Sequence, residues 1–243
     1  MKGTYNLRST INQCEQWLCE QVRSAGAKGI VLGLSGGIDS SVLAALGREA
    51  LGHDGVLGVI MPCRSISEDE QDARLLAESL DVKFERVDLS GVFDALCAGV
   101  GGSLDSLTRS NIKARLRMVT LYAFAQSRGL LVCGTSNRSE YETGYFTKYG
   151  DSGVDLMPLA GFLKREIRAM ARELNVPERI ITKAPSAGLY EGQTDEGDMG
   201  FTYDVLDEYL ATGKIDDPKA KERIDVMRRR SEHKRKPIPI FKI

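Results

Sequence analysis

The chain has 243 residues, of which 42% are hydrophobic and 28% charged, and its formal net charge is −1. These values are ordinary for a globular protein and favour a single α/β domain over residues 1–243. The charge balance excludes a protein that is built as a whole to hold polyanions. No apolar run approaches the ~20 residues of a membrane-spanning helix, so we expect neither nucleic acid nor membrane among its partners.

Cysteine usage favours a reducing compartment. The five cysteines form no CxxC pair and are odd in number, and most lie among apolar residues. Such thiols are typical of a cytosolic protein, and the first residues lack the apolar core of a signal peptide. We therefore expect a cytoplasmic protein. Because His53 and His233 are its only histidines, a histidine-based zinc site is not expected.

Strand-like and helix-like segments alternate along the chain. Helical spacing of apolar residues predicts helices, and short apolar runs that end in glycine or proline predict buried parallel strands. In chain order we predict a helix over 5–23, a strand over 29–34, a helix from Asp39 to near Gly52, a strand over 56–61, a helix from Ser67, a strand over 83–89, a helix over 111–127, a strand over 130–133, and helices over 203–210 and 217–230. This order implies right-handed crossovers and a Rossmann-like, doubly wound parallel sheet with helices on both faces.

The segment AGLYEGQTDEGDMG at 187–200 is polar and rich in glycine. It predicts a mobile loop, which is followed by a helical C-terminal tail. Basic residues in the run 228–236 are compatible with a nucleic-acid contact, but the acidic residues that precede them offset much of the charge. We interpret the run as a solvated helix end.

A glycine- and serine-rich segment, GLSGGIDSS at 33–41, joins the first predicted strand to a helix. Glycines let the backbone approach a ligand, and free N–H groups at a helix start bind phosphate oxygens; we expect the hydroxyls of Ser35, Ser40 and Ser41 to assist. No GK[ST] follows, so the segment is not a Walker A loop. Asp39 would repel phosphate unless a cation such as Mg²⁺ bridged them. The alternative is a glycine turn in which Asp39 merely caps the helix.

The SGGxDS run resembles the pyrophosphate loop of the N-type ATP pyrophosphatases, which include NAD synthetase, GMP synthetase, asparagine synthetase and tRNA-modifying enzymes. These enzymes split ATP between the α and β phosphates and adenylate an oxygen of their substrate. The resemblance implies that Asp39 binds Mg²⁺ and that ATP is bound by Gly33, Leu34, Ser35, Gly36, Gly37, Ile38, Asp39 and Ser40. The loop alone identifies the superfamily and not the member.

Later motifs resemble the NAD synthetase family in particular. They are NIKARLRM at 111–118, GTSNRSE at 134–140, GYFTKYGDSGVDLMPL at 144–159, FLKRE at 162–166, KAPSAGL at 183–189 and SEHKRKPIPIF at 231–241. Only Ser152 departs from the common glycine of the third motif. The resemblance therefore extends over almost the entire chain, from Gly33 to the C-terminal tail.

The resemblance also implies roles for single residues. Thr135, Lys164 and Ser186 match ATP-binding positions, and Glu140 matches a second Mg²⁺ ligand beside Asp39. Deamido-NAD would be bound by Arg115, Lys148, Asp155, His233 and Lys234. Asp39 and Asp155 are the candidate catalytic residues, and Asp155 is a candidate base for ammonium. Tyr145 and Phe146 either stack on the pyridine ring or pack in the core.

The implied activity is ATP-dependent amidation of deamido-NAD by ammonia, which yields NAD, AMP and pyrophosphate through an adenylated intermediate. The family also implies a homodimer with the dinucleotide site at its interface. The chain has no room for an amidohydrolase domain, so ammonia is the expected nitrogen source unless a separate glutaminase docks. Two alternatives are another ATP pyrophosphatase, such as a GMP synthetase ATPase subunit or a tRNA-modifying enzyme, and a non-catalytic nucleotide-binding module. The chain lacks paired cysteines and contains the FTKYGD segment, and both features disfavour another ATP pyrophosphatase. Two separate acidic metal ligands disfavour a non-catalytic module.

Overall fold

A parallel sheet forms the centre of the computed structural model, which describes residues 6–65, 67–186 and 194–242. Its strands are β1 Ile30–Gly33, β2 Val56–Ile60, β3 Lys83–Arg86 and β4 Leu131–Val132, in the order β3-β2-β1-β4. The helices of these ranges are α1 Leu7–Ser24, α2 Ile38–Leu51, α3 Ser67–Ser79, α4 Ser90–Val100, α5 Ser106–Arg128, α6 Arg138–Thr143, α7 Lys164–Glu173, α8 Glu178–Thr182, α9 Asp195–Met199, α10 Tyr203–Thr212, α11 Pro218–Arg230 and α12 Glu232–Arg235, with a 3-10 turn at His53–Gly55.

The two faces of the sheet are covered by different helices. On one face Ile30 and Leu32 of β1 pack in a core with residues of α1, α2 and α7. On the other face Val31 packs with Phe93 of α4 and Leu121 of α5. Because successive side chains of a strand point to opposite faces, the continuous apolar runs of β1 and β2 supply both cores. The predicted α/β fold, a doubly wound parallel sheet with helices on both faces, is confirmed.

Some predicted bounds are wrong. The long helix begins at Ser106 instead of Asn111, because the carboxylate of Asp105 accepts a hydrogen bond from Thr108 N at 2.6 Å and caps it. Helix α4 was not predicted, because its sequence SGVFDALCAGV contains two glycines, and glycine has a low helix propensity. Within the predicted loop at 187–200, residues Asp195–Met199 form α9, and 187–193 lie outside the described residues.

The C-terminal helices form a third apolar core with α9. It contains Tyr203 and Leu206 of α10 and Ile224 of α11. Ser139 of α6 donates to a carboxylate oxygen of Asp207 at 2.5 Å, so this core is tied to the helix that follows β4. No helix of the described ranges has the length and apolarity that crossing a membrane requires.

The carboxyl ends of β1, β2 and β4 open into one cleft, as expected for an open parallel sheet. The glycine loop leaves β1 here, residues 61–65 leave β2, and residues 133–137 leave β4. Residues 155–156 run beside β4, where Cys133 pairs with Leu156. The topology therefore brings three segments that are distant in sequence to one place.

Candidate functional site

The glycine loop turns directly from β1 into α2. The N-cap of α2 is Gly37, and no side chain caps the helix, so its first N–H groups are available to a phosphate. Gly36 has φ +76°, and a Cβ there would overlap the carbonyl oxygen of Asp69, so only glycine fits this close approach. The interpretation of Asp39 as an ordinary N-cap is therefore wrong.

One of the three serines of the loop differs in role from the prediction. Ser35 and Ser40 line the cleft, with their hydroxyls 3.1 Å apart. Ser41 is fully buried and donates its hydroxyl to Gly37 O at 2.8 Å. Ser41 therefore stabilises the first turn of α2, and the expectation that its hydroxyl cradles phosphate is wrong.

A buried lysine joins two carboxylates at the mouth of the loop. Lys164, at the start of α7 and 2% exposed, places its Nζ 2.5 Å from Asp39 Oδ2 and 3.3 Å from Glu140 Oε1. Burial opposes its charge, but Asp39 and Glu140 outweigh burial and raise the pKa of Lys164. Lys164 is therefore positively charged, and two carboxylates from different segments share it.

Helix α6 holds Glu140 in place through a capping box. Asn137 Oδ1 accepts from Glu140 N at 3.0 Å, and Glu140 Oε2 accepts from Asn137 N at 3.3 Å. The amide of Asn137 also donates to Asp39 Oδ1 at 2.8 Å. Burial, together with the negative charge of Asp39, raises the pKa of Glu140 to about 8. Asn137 thus orients both acidic groups of the site, a role that the sequence did not reveal.

Acidic side chains outnumber basic ones at this end of the cleft. Tyr203 OH lies 3.0 Å from Asp195 Oδ2 and 3.3 Å from Glu140 Oε1. Burial raises the pKa of Asp195, which is 4% exposed. Three acidic residues therefore surround the single ammonium group of Lys164. Within the described ranges, no three histidine, cysteine or acidic side chains form a ready-made metal cage.

One cavity of about 860 Å³ contains most of the predicted ATP site. Of residues 33–40, Gly36 alone does not line the cavity, because it packs against α3. Lys234 reaches the cavity wall, but its Nζ donates to Gly144 O at 2.8 Å and Phe146 O at 2.6 Å, so it anchors the C-terminal tail. The predicted residues that line the cavity are Gly33, Leu34, Ser35, Gly37, Ile38, Asp39, Ser40, Thr135, Glu140, Lys164, Ser186 and Lys234.

The two aromatic residues at 145–146 also line the cavity. Phe146 is 8% exposed and stacks on Tyr141, with ring centroids 5.8 Å apart. Tyr145 donates its hydroxyl to Asp198 Oδ2 at 2.9 Å. Phe146 thus packs as a core residue at the cavity wall, while the ring of Tyr145 packs against the C-terminal core.

Four predicted substrate-binding residues lie outside this cavity. Three form a connected surface group: Arg115 donates to Lys148 O at 3.2 Å, and Lys148 Nζ donates to His233 O at 2.9 Å. Asp155 lies at the sheet edge, where it accepts from Val132 N at 2.8 Å and from Tyr122 OH at 3.0 Å. Arg115, Lys148 and His233 thus lie together on the subunit surface, while Asp155 supports the edge strand.

Arg117 lines the cavity although Arg115, two residues earlier, does not. Residues two apart on a helix point about 200° apart, so only one of the two can face the cleft. The periodicity of α5 carried this information, since its apolar residues Ala114 and Leu121 also line the cavity.

Comparisons with known proteins agree with one another. The NAD synthase family matches residues 10–238. The NH(3)-dependent NAD(+) synthetase of Finegoldia magna is 53% identical over 221 residues, which are 91% of this chain and 90% of the relative. A structure of NMN synthetase from Francisella tularensis is 37% identical with a TM-score of 0.94, covering 99% of this chain and 100% of that one.

A structure of the NH3-dependent NAD synthetase from Campylobacter jejuni is also similar. It is 28% identical with a TM-score of 0.82, and the match covers 98% of this chain and 100% of that one. The family match spans nearly the whole sequence, including the glycine loop, the Asp39–Lys164–Glu140 group and the C-terminal helices. The chain belongs to the NAD synthase family.

Proposed function

We propose that the protein is a ligase that uses ATP to amidate deamido-NAD with ammonia, forming NAD, AMP and pyrophosphate. The observation that carries the proposal is the Asp39–Lys164–Glu140 group beside the glycine loop, inside one cavity. The family membership and the 53% identical NH(3)-dependent NAD(+) synthetase support it. Neither GMP synthetase, a tRNA-modifying enzyme nor a non-catalytic module is favoured by any of these findings.

The chemistry requires activation of a carboxylate. An unactivated carboxylate reacts poorly with ammonia, because its leaving group would be oxide. Transfer of AMP from ATP to the carboxylate oxygen gives an adenylate and pyrophosphate, and attack by ammonia then releases AMP. The chain contributes mainly positioning and charge stabilisation: residues 33–40 and Lys164 hold the phosphates, and Thr135 and Ser186 line the same cavity.

Asp39 and Glu140 fit a Mg²⁺ ion. Mg²⁺ in nucleotide sites takes one or two carboxylates together with phosphate oxygens and water, which matches two carboxylates at a glycine loop. Burial and the charge of Asp39 raise the pKa of Glu140, and a divalent cation beside both groups would favour the ionised form of Glu140. When bound, the ion would neutralise phosphate charge; the acidic residues would hold it there.

We propose that the protein acts as a homodimer with a shared dinucleotide site. Val92, Leu96 and Val100 of α4 and Val119 of α5 are between 42% and 60% exposed, an apolar area that a second copy would cover. Arg115 is one helical turn from Val119, so it shares this face. A second copy would then bring the Arg115, Lys148 and His233 group next to the neighbouring subunit.

Free ammonia is the proposed nitrogen source, and a separate glutaminase that delivers it is compatible with this. The cysteines of the described residues are all free thiols, which supports a cytoplasmic location.

Nicotinic acid mononucleotide, here called the mononucleotide acid, is a second candidate substrate. The observation in its favour is the TM-score of 0.94 with a structure of NMN synthetase, against 0.82 with the NAD synthetase of C. jejuni. Amidation is the same reaction on either acid, so the two candidates differ only in the portion of the substrate that is remote from the reacting carboxylate.

Competition between the two acids tests the proposal. The purified protein is incubated with Mg-ATP, labelled ammonium, deamido-NAD and the mononucleotide acid, and the products are separated. We expect labelled NAD, AMP and pyrophosphate, with the dinucleotide consumed first and little product when glutamine replaces ammonium. Preferential labelling of the mononucleotide amide would favour the second candidate. No amidation of either acid would refute both.

A further inference from the structure

Arg117 lines the cleft, and no carboxylate of the described residues forms an ion pair with its guanidinium. Its Nε donates to Met61 O and one terminal nitrogen to Ser65 Oγ, both at 3.2 Å. Both partners are uncharged and belong to the segment that leaves β2. Arginine has five N–H donors in a planar fork, so these two contacts leave donors for a ligand.

Carboxylates near Arg117 are already bound elsewhere. Asp69 accepts from Lys183 Nζ at 2.8 Å, and Asp151 accepts from Thr147 N at 2.8 Å. Burial lowers the pKa of Arg117, and the charges of Asp151 and Asp69 raise it by less. Arg117 thus forms no ion pair with any carboxylate of the described residues.

Arg117 is half-buried, and a partly desolvated charge without an opposite charge lowers stability, so a ligand that offsets it would gain affinity. Arg117 is also close to the glycine loop. A Cβ at Gly33 would meet Met61 Cε at 3.2 Å and Leu121 Cδ1 at 4.0 Å. Met61 is the residue whose carbonyl binds Arg117, and Leu121 follows Arg117 by one helical turn. An anion at Arg117 would therefore lie beside the start of the glycine loop.

We propose that Arg117 binds an oxyanion of a substrate, which is either an ATP phosphate or the carboxylate that becomes amidated. Both groups accept two parallel hydrogen bonds from guanidinium. If the carboxylate is the ligand, Arg117 also distinguishes the acid substrate from its neutral amide product. The identity of the anion rests on the proposed function, whereas the anion site rests on the geometry of the cleft.

Stability of the ligand-free protein gives the first test. Arg117→Met keeps the length and apolar stem of the side chain but removes the charge. If Arg117 serves a ligand, the melting temperature of the ligand-free variant equals or exceeds that of the wild type, because the cost of the half-buried, unpaired charge is gone. A melting temperature several degrees lower would identify a structural arginine that fastens residues 61–65, and would overturn the proposal.

Calorimetric titration gives the second test and identifies the anion. Mg-ATP, inorganic pyrophosphate, deamido-NAD and NAD are titrated into wild type, Arg117→Met and Arg109→Met. Arg109 is an exposed arginine of the same helix that lies over the Phe93 ring, outside the cavity, so its variant should bind like wild type. Because hydrogen bonds between charged groups are strong, we expect Arg117→Met to lower the binding affinity for one of these ligands by about 30-fold or more.

Weaker binding of Mg-ATP and pyrophosphate assigns the phosphate as the ligand. Weaker binding of deamido-NAD, with NAD unchanged, assigns the carboxylate. Affinities for all of these ligands within about threefold of wild type would overturn the proposal, since that is less than one charged hydrogen bond contributes. The titrations involve no turnover, so a wild type that binds these ligands and makes no NAD would refute the proposed function alone.

Discussion

Asp39 binds two groups at once, the ammonium of Lys164 and the amide of Asn137. Asp39→Asn keeps the volume of the side chain but removes the charge that would hold Mg²⁺ and Lys164. We expect turnover to fall by at least about 100-fold, as when a preorganised charge-stabilising group is removed, with the secondary structure retained. Steady-state kinetics and circular dichroism check both parts.

Asp54→Asn is the matched control for this variant, because Asp54 is exposed and lies outside the cavity. It should turn over like wild type. Near-normal turnover of Asp39→Asn at saturating Mg²⁺ would show that the charge of Asp39 is not needed for the reaction.

Lys164 also contributes to the fold, because it offsets two carboxylates while only 2% exposed. Lys164→Met leaves those carboxylates without their partner. We expect the free energy of unfolding to fall by about 3 kcal/mol, the cost of breaking a buried pair, as measured by urea denaturation. Lys221→Met, which breaks the exposed pair with Asp225, should change it little. Equal losses of unfolding free energy in the two variants would contradict the assigned role of Lys164.

The residue types of the site were readable from the sequence, but their partners were not. The GTSNRSE motif pointed to Glu140, yet the capping box that fixes it depends on the start of α6. The pairing of Asp39 with Lys164 joins residues 125 positions apart, and local periodicity carries no information on such a contact. Arg115 and Arg117 could be told apart by the helical periodicity of α5, which places Arg117 on the same face as Ala114 and Leu121.

At the scale of elements, the glycine loop requires contact between Gly36 and α3. Gly36→Ala places a methyl group against the Asp69 carbonyl, so the loop must move. We expect the affinity for ATP to fall by about tenfold or more, since misplacement of a binding loop has effects of that order. Titration with Mg-ATP measures it.

Gly52→Ala is the control for the backbone strain alone. Gly52 has φ +75°, close to that of Gly36, but a Cβ there would meet nothing within 4 Å. This variant should lose about 1–2 kcal/mol of stability and keep its ATP affinity. Equal losses of ATP affinity in the two variants would show that strain, and not the contact with α3, is responsible.

Strands β1 and β2 and helices α1 and α2 were predictable because their apolar residues are continuous or helically spaced. Helix α4 was not, since its glycines conceal the apolar face that Phe93 buries. The short α9 lies in a segment whose acidic and glycine-rich composition indicated a loop. There the contacts of Asp195 and Met199 with the C-terminal core stabilise the helix.

At the scale of the whole molecule, the dimer proposal depends on the apolar face of α4 and α5. Val119 is 60% exposed, so Val119→Glu should fold normally but place a charge in the interface. We expect monomers of 26.7 kDa with weakened binding of deamido-NAD, because association and binding are linked. Sedimentation measures the mass.

Leu75→Glu is the control, since Leu75 is a 39% exposed residue of α3, on another helix. It should sediment as wild type does. Leu116 of α5, the helix that carries Val119, packs partly in the subunit's own core, so a charge there would test folding instead of association. A fully active wild-type monomer, unchanged by substrate, would contradict the shared site.

We infer that this cleft adenylates a carboxylate before ammonia enters. Exchange of labelled pyrophosphate into ATP tests it most directly, because exchange requires reversible cleavage between the α and β phosphates. We predict exchange that depends on deamido-NAD and Mg²⁺, proceeds without ammonium, and is lost in Asp39→Asn. Formation of ADP and phosphate, or exchange that proceeds without any acid substrate, would refute adenylation of the carboxylate.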